Sequence, residues 1–281
     1  TLLGKRVGVF PLIPCKQCGP CKKGLYEMCR NYDYLGSRSN GGFAEYVNVP
    51  AENLIILPDS VPFEVAAMLE PMSVAVHAMR KGLATLFGPN ASSDKDKDIS
   101  IAVCGLGAIG LMVITFLLDL GYKNIYAIGN KAFQRDMIMG LDLPEDRYIE
   151  YGSDKCKALG ESIDLFFECV GTNDSLELGV RSAAPGGVVV TVGNPASDMT
   201  LARDIYWKIL RNQLRVIGTW NSSFTGDPDD DWHYVIDRIQ AGQMDPAKLI
   251  SHRFSFEELE KGLLIMRDKT ENYCKVMAIR K

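Results

Sequence analysis

Cys15, Cys18, Cys21 and Cys29 are spaced C-x2-C-x2-C-x7-C, so one short loop can supply a complete tetrahedral set of soft ligands. Zinc held by four thiolates keeps no open position for a substrate, so the expected role is structural. An iron–sulfur cluster is the nearest competitor, but its bacterial run is C-x2-C-x2-C-x3-C-Pro. Here the last gap is seven residues and no proline follows Cys29. Four reduced surface thiols are the plainer alternative. Metal removal is expected to loosen this lobe, because binding energy at such sites is largely folding energy.

A second chemical signature is the G-x-G-x-x-G run Gly105-Leu106-Gly107-Ala108-Ile109-Gly110. Alone it is weak. Its context strengthens it, because the strand-like run Ile99–Cys104 precedes it and an apolar helix follows. The first glycine permits the tight turn, the second lets backbone amides approach a pyrophosphate, and the third lets the helix pack on the sheet. The helix N-terminus then faces the negative charge. The acid that grips the ribose 2′-hydroxyl belongs at the end of the second strand, but Ile125–Ile128 is followed by Gly129-Asn130-Lys131, with Arg135 beyond. Lost repulsion and nearby cations make NADP an expected ligand beside NAD. The alternative is that Lys131 and Arg135 are ordinary helix-start residues.

These residues need a scaffold. Between residues 74 and 221, apolar runs at Ile99–Cys104, Ile125–Ile128, Tyr148–Tyr151, Ile163–Cys169, Val188–Val192 and Leu214–Ile217 alternate with helix-like stretches. The helices are expected at Leu111–Leu120, Ala132–Gly140, Ser175–Ser182 and Arg203–Arg211. Near-continuous apolar strands separated by helices predict an α/β fold, a doubly wound parallel Rossmann sheet of six strands. Val192-Gly193 ends the fifth strand and is the expected contact for the nicotinamide end. Before residue 73 the reading is β-rich, with strand-like runs at Phe43–Val49 and Leu54–Leu57. After residue 222, two helices and a last strand, Cys274–Ile279, are expected. Ser255 and Glu258 have capping-box spacing. The acidic segment Asp227–Asp231 and the mixed run Asp94–Asp98 read as solvated loops.

The chain has 281 residues, enough for two cores, and 47% hydrophobic with 23% charged residues is ordinary for a globular protein. A net charge of -4 without a basic stretch argues against nucleic acid as a partner. The longest apolar run, Ala108–Leu118, is too short to cross a bilayer, so no membrane partner is expected. Eight cysteines, half of them in the metal-type cluster, fit a reducing compartment, and the expected location is the cytoplasm.

The cysteine lobe upstream of a dinucleotide unit resembles the zinc-dependent medium-chain dehydrogenases, across essentially the whole chain. Leu69-Glu70-Pro71-Met72-Ser73-Val74-Ala75-Val76-His77-Ala78 looks like their sorbitol dehydrogenase branch. Tyr34–Arg38 with Gly41–Tyr46, and Lys208–Arg211 with Val216–Asn221, are similar to the galactitol-1-phosphate 5-dehydrogenases. The resemblance implies a partial GroES-like catalytic domain over 1–73 and 222–281, with the structural zinc lobe, and a Rossmann domain over 74–221. It implies hydride transfer between a polyol or polyol phosphate and NAD(P), and a homo-oligomer joined through the nucleotide domain. It also implies a second, catalytic zinc with Glu70 as ligand or near neighbour, and a substrate pocket lined by Phe43 and Asn221. Arg38 is a candidate for a substrate phosphate, a solvated loop arginine being the other reading. The family's remaining catalytic ligands, a loop cysteine and a His-Glu pair, lie upstream of the cysteine lobe, so a chain lacking its first part is expected. His77, His233 and His252 have no neighbours that could replace that pair. A zinc alcohol or threonine-type dehydrogenase is an alternative, as is a non-catalytic dinucleotide-binding protein.

Overall fold

The computed structural model describes residues 2–88, 97–242 and 244–280. Contacts divide the chain into two units, residues 1–77 with 220–247 and residues 78–219 with 248–281. The expected boundary grouped all of 222–281 with the cysteine lobe; by contacts, residues 248–281 group with the sheet unit.

In the first unit, β1 (Val7–Val9), β2 (Leu12–Ile13), β3 (Asp33–Tyr34) and β4 (Leu54–Ile56) form two short antiparallel pairs, β1 with β4 and β2 with β3. The buried Asn53 amide joins them by donating to the carbonyls of Phe10 and Leu12 at 2.9 and 2.8 Å. The short helix α1 (Phe63–Ala66) leads into α2 (Leu69–Phe87), whose first turn carries Glu70. Phe43–Val49, expected as a strand, forms none and is mostly exposed. Its alternating Phe, Tyr and Val suit a pleated surface, but a strand needs a partner ladder to satisfy its backbone, and none is paired with it.

The second unit holds the expected sheet. Its strands are β5 (Ile101–Cys104), β6 (Ile125–Gly129), β7 (Tyr148–Glu150), β8 (Ile163–Glu168), β9 (Ala183–Thr191) and β10 (Arg215–Gly218). All pair in parallel, in the order β10-β9-β8-β5-β6-β7. The connecting helices are α3 (Ala108–Asp119), α4 (Ala132–Met139), α5 (Asp154–Lys157), α6 (Asn173–Ser182) and α7 (Arg203–Arg211). Leu165, Phe166, Phe167 and Val188–Val190 are fully buried, each contributing about 1.5–3 kcal/mol through lost apolar exposure. The strand order reverses between β5 and β8, and that switch point opens a crevice beyond their carboxyl ends.

Back in the first unit, α8 (Asp231–Gln240) corrects the reading of the acidic run. Asp230 and Asp231 are buried rather than solvated. Asp230 caps the helix, its carboxylate accepting from the backbone N–H of Trp232 and His233 at 3.0 and 2.9 Å. Asp231 accepts from His77 Nδ1 at 2.7 Å, so that histidine is a buried, hydrogen-bonded one. In the mixed run, residues 94–96 lie outside the described residues. The C-terminal segment contains a strand that the sequence reading missed: β11 (Ile250–Ser255) pairs in parallel with β12 (Lys275–Ile279), with α9 (Leu259–Asp268) between them. Polar Ser251, His252 and Arg253 mask its apolar alternation. The Ser255–Glu258 capping box forms.

Candidate active site and metal centre

The four lobe cysteines converge. Their sulfurs all lie within 4.8 Å of one another, with Cys18 to Cys21 at 3.5 Å and Cys18 to Cys29 at 3.9 Å. Zn–S bonds of about 2.3 Å place tetrahedral sulfurs about 3.8 Å apart, so the four thiols fit a closed zinc shell. A tight turn, with Lys22 N–H donating to the Cys18 carbonyl at 3.0 Å, brings the first three together. A second turn, Cys29 N–H to the Tyr26 carbonyl at 3.0 Å, returns the fourth. Backbone N–H groups, that of Arg30 first, pull the Cys18 thiol down to about 6, while burial pushes Cys21 up to about 12. Donors aimed at sulfur favour thiolate, the form that binds a metal.

Glu70 meets β3. The Tyr34 hydroxyl donates to Glu70 Oε1 at 3.1 Å, and the Asn221 side chain acts on the same phenol, pulling against the upward shift. Burial first, then the Glu70 charge, pushes the Tyr34 phenol above its usual range. Two expected site residues, Glu70 and Asn221, therefore meet at one tyrosine that the sequence reading did not single out. Asn221 adopts a left-handed φ of 55°, with its own side chain accepting from Ser222 N–H at 2.8 Å. Phe43 is 70% exposed and lines a depression over residues 33–50 of the first unit. Arg38 stacks its guanidinium 3.8 Å above the Tyr32 ring and donates to the Tyr32 carbonyl at 2.8 Å. It is exposed, and its placement is set by Tyr32 rather than by Phe43 or Glu70.

The crevice at the switch point is a cleft of about 480 Å³. Gly105, Gly107, Gly129, Asn130 and Lys131 line it, as expected. The three glycines divide the work as their spacing predicts. Gly105 has φ 97°, a region that side chains avoid. A Cβ on Gly110 would lie 2.0 Å from the Gly105 carbonyl oxygen, so helix and turn touch there. A Cβ on Gly107 would meet nothing within 4 Å, so that backbone faces open space. Ala108, Ile109 and Gly110 form the first turn of α3 behind this loop. Arg135 is not in the cleft. It is ion-paired with Glu145 and borders a separate surface depression with Tyr148 and Lys155.

Several wall residues escaped the sequence reading. Gln134 is buried; its Oε1 accepts from Asn130 and Lys131 N–H at 3.1 and 3.2 Å, and its Nε2 donates to the Leu106 carbonyl at 3.1 Å. It thereby ties the end of β6 to the glycine loop, and its capping position at the third residue of α4 was the available signal. Cys169 stands just past β8 on the cleft wall. Val192 and Gly193 follow β9 and donate to the Glu168 carbonyl at 2.8 and 2.9 Å.

Known proteins share this sequence pattern and fold. A zinc-binding dehydrogenase family matches residues 108–241, and the alcohol dehydrogenase GroES-like domain matches residues 1–59. Galactitol 1-phosphate 5-dehydrogenase of Escherichia coli (strain K12) is 30% identical over 264 residues, covering 92% of this chain and 73% of that protein. L-threonine 3-dehydrogenase of Bacillus licheniformis is 29% identical over 270 residues, 94% of this chain and 72% of that protein. The crystal structure of galactitol-1-phosphate dehydrogenase from Escherichia coli matches with a TM-score of 0.82 at 28% identity, covering 97% of this chain and 77% of that one.

Proposed function

The chain belongs to the zinc-dependent alcohol and polyol dehydrogenase family, and from that premise we propose that it oxidises a polyol phosphate of the galactitol 1-phosphate type with NAD or NADP. The observation that carries this reading is the 30% identity to galactitol 1-phosphate 5-dehydrogenase across 92% of the chain. In this reading Cys15, Cys18, Cys21 and Cys29 hold a structural zinc and stay out of the chemistry, their shell being closed. The amides around Gly107 cradle the pyrophosphate, Asn130 and Lys131 border the adenosine ribose, and Val192 with Gly193 borders the nicotinamide.

Glu70 is the residue for a catalytic zinc, being a carboxylate oriented by Tyr34. When bound, zinc polarises the substrate hydroxyl as a Lewis acid and the nicotinamide takes the hydride. The chain's own contributions are placement and exclusion of water. Phe43 offers an apolar wall, Asn221 a hydrogen bond to a substrate hydroxyl, and Arg38 a cation for the phosphate. The similarity to L-threonine 3-dehydrogenase supports a second reading, a threonine-type hydroxy amino acid substrate.

Pairing of two copies through β10 accompanies the reading. β10 is an edge strand of the sheet and α7 exposes Tyr206, Trp207 and Leu210, which suits a homo-oligomer. Light scattering giving a single-chain mass at working concentration would count against it. For the substrate, the native enzyme is assayed with galactitol 1-phosphate, galactitol, sorbitol and L-threonine, each with NAD and NADP. The expected result is a kcat/KM for the phosphate at least about tenfold above the free polyols, one such factor being about 1.4 kcal/mol. Faster turnover of threonine overturns the polyol reading. Arg38→Ala is expected to raise KM for the phosphorylated polyol more than for the free one; an unchanged ratio removes Arg38 from the phosphate site.

A further inference from the structure

We infer that Glu168 is a positioning residue for the nicotinamide half of the bound dinucleotide, an inference that rests on the dinucleotide reading of the cleft. Glu168 ends β8, a strand whose other residues are mainly buried apolar ones, and its side chain is 1% exposed. A carboxylate in such a place is costly unless it is saturated with hydrogen bonds. Here three donors converge on one oxygen: Val170 N–H at 2.7 Å, Gly171 N–H at 2.8 Å and the Ser175 hydroxyl at 2.8 Å. Ser175 in turn accepts from Thr172 N–H at 3.2 Å, within the capping box that starts α6. The negative group therefore lies at the N-terminal end of α6, where the helix dipole favours it.

The backbone of the same residue holds a second loop. Its carbonyl accepts from Val192 and Gly193 N–H at 2.8 and 2.9 Å. The two loops touch without intervening side chains: a Cβ on Gly171 would lie 1.9 Å from the Asn194 oxygen, and one on Gly193 would lie 2.2 Å from Gly171 N. Opposite them, Val170 and Cys169 press against Gly105, where a Cβ would come within 2.8 and 2.9 Å of them. One glutamate thus spaces the loop after β8, the loop after β9 and the start of α6 against the glycine turn. A doubly wound fold divides its dinucleotide between two mononucleotide halves. The half built from β5–β7 carries the glycine loop and the 2′-hydroxyl position. The loops that Glu168 holds border the other half, which takes the nicotinamide ribose and ring.

Binding of NAD and of ADP, which lacks both the nicotinamide and its ribose, separates positioning from general stability. If NADP is the tighter ligand, the 2′-phosphorylated pair is used. Glu168→Ala removes the side-chain acceptor of the Val170 and Gly171 N–H groups and leaves the Ser175 hydroxyl only Thr172 as partner, and is expected to weaken NAD about tenfold or more, with ADP changed less than about threefold. Glu168→Gln keeps an acceptor oxygen for the two N–H groups and is expected to restore NAD binding to within about threefold of the native protein. Should Glu168→Ala not fold, Ser175→Ala, which removes one donor, is expected to show a smaller loss confined to NAD. Parallel weakening of both ligands, loss of neither, or Glu168→Gln behaving like Glu168→Ala overturns the inference. A native protein that binds none of these nucleotides overturns the dinucleotide reading instead.

Discussion

The Tyr34 hydroxyl lies 3.1 Å from Glu70 Oε1, a hydrogen bond between β3 and the first turn of α2 across 36 residues of chain. It orients a carboxylate that the local helix sequence leaves without an obvious capping role. Tyr34→Phe is expected to lower stability by about 1 kcal/mol, the net worth of one partly buried hydrogen bond. Denaturant unfolding of the two proteins measures it, and an unchanged midpoint with an unchanged slope would show that the bond contributes nothing.

The glycine loop permits a sharper contrast. Gly107→Ala adds a methyl into open space at an ordinary φ of -82°, so the protein should melt like the native one while binding NAD or NADP about tenfold more weakly. Gly110→Ala drives a methyl into the Gly105 carbonyl and should cost about 2 kcal/mol or more in stability. Melting curves with nucleotide titrations check both, and equal behaviour of the two variants contradicts the division of roles.

Metal analysis is expected to find zinc at the cysteine lobe, and Cys18→Ser should lose it while Cys156→Ala keeps it. Zinc present at a thousandfold excess over its dissociation constant stabilises the folded chain by about 4 kcal/mol. Chelation should therefore lower the melting temperature of the native protein but leave Cys18→Ser unaffected. Equal zinc content in both proteins refutes the assignment.

Alkaline pH should destabilise the fold through Cys104. Burial first, then the Glu168 charge, raises this thiol from 9.0 to about 12. Between those values the unfolded chain releases the proton and the folded chain keeps it. The stabilisation is whole below pH 9 and is lost as pH rises toward about 12, at up to about 1.4 kcal/mol per pH unit. Cys104→Ala should be less stable than the native protein below pH 9, but its stability should decline less steeply above pH 9. Unfolding free energies across that range decide it; identical slopes would exclude Cys104 as a source.

Cofactor choice should respond to the end of β6. Asn130→Asp supplies the carboxylate that binds a ribose 2′-hydroxyl and repels a 2′-phosphate. The ratio of NADP to NAD affinity is expected to fall about tenfold or more, read from paired nucleotide titrations. A constant ratio would mean that this position does not face the 2′-oxygen.

Much of the scaffold was legible because its signals are local. The six apolar runs became six parallel strands, and the central β5 and β8 read most plainly because a strand covered on both faces is apolar nearly throughout. Phe43–Val49 and Ile250–Ser255 were misread for opposite reasons. The first had strand composition without a partner, and the second had a partner but a polar face.

The spacing of Cys15, Cys18, Cys21 and Cys29 and the run Gly105–Gly110 determined by themselves that four thiols converge and that a glycine turn opens α3, because groups separated by a few residues meet whatever the rest of the chain does. Tertiary packing alone decided that Asp231 lies beneath His77, 154 residues away, and that Arg135 answers to Glu145 rather than to the cleft. It also decided that Glu168, unremarkable at the end of an apolar strand, anchors two loops. Such polar groups acquire partners only when distant segments are buried together, and that burial makes their hydrogen bonds obligatory.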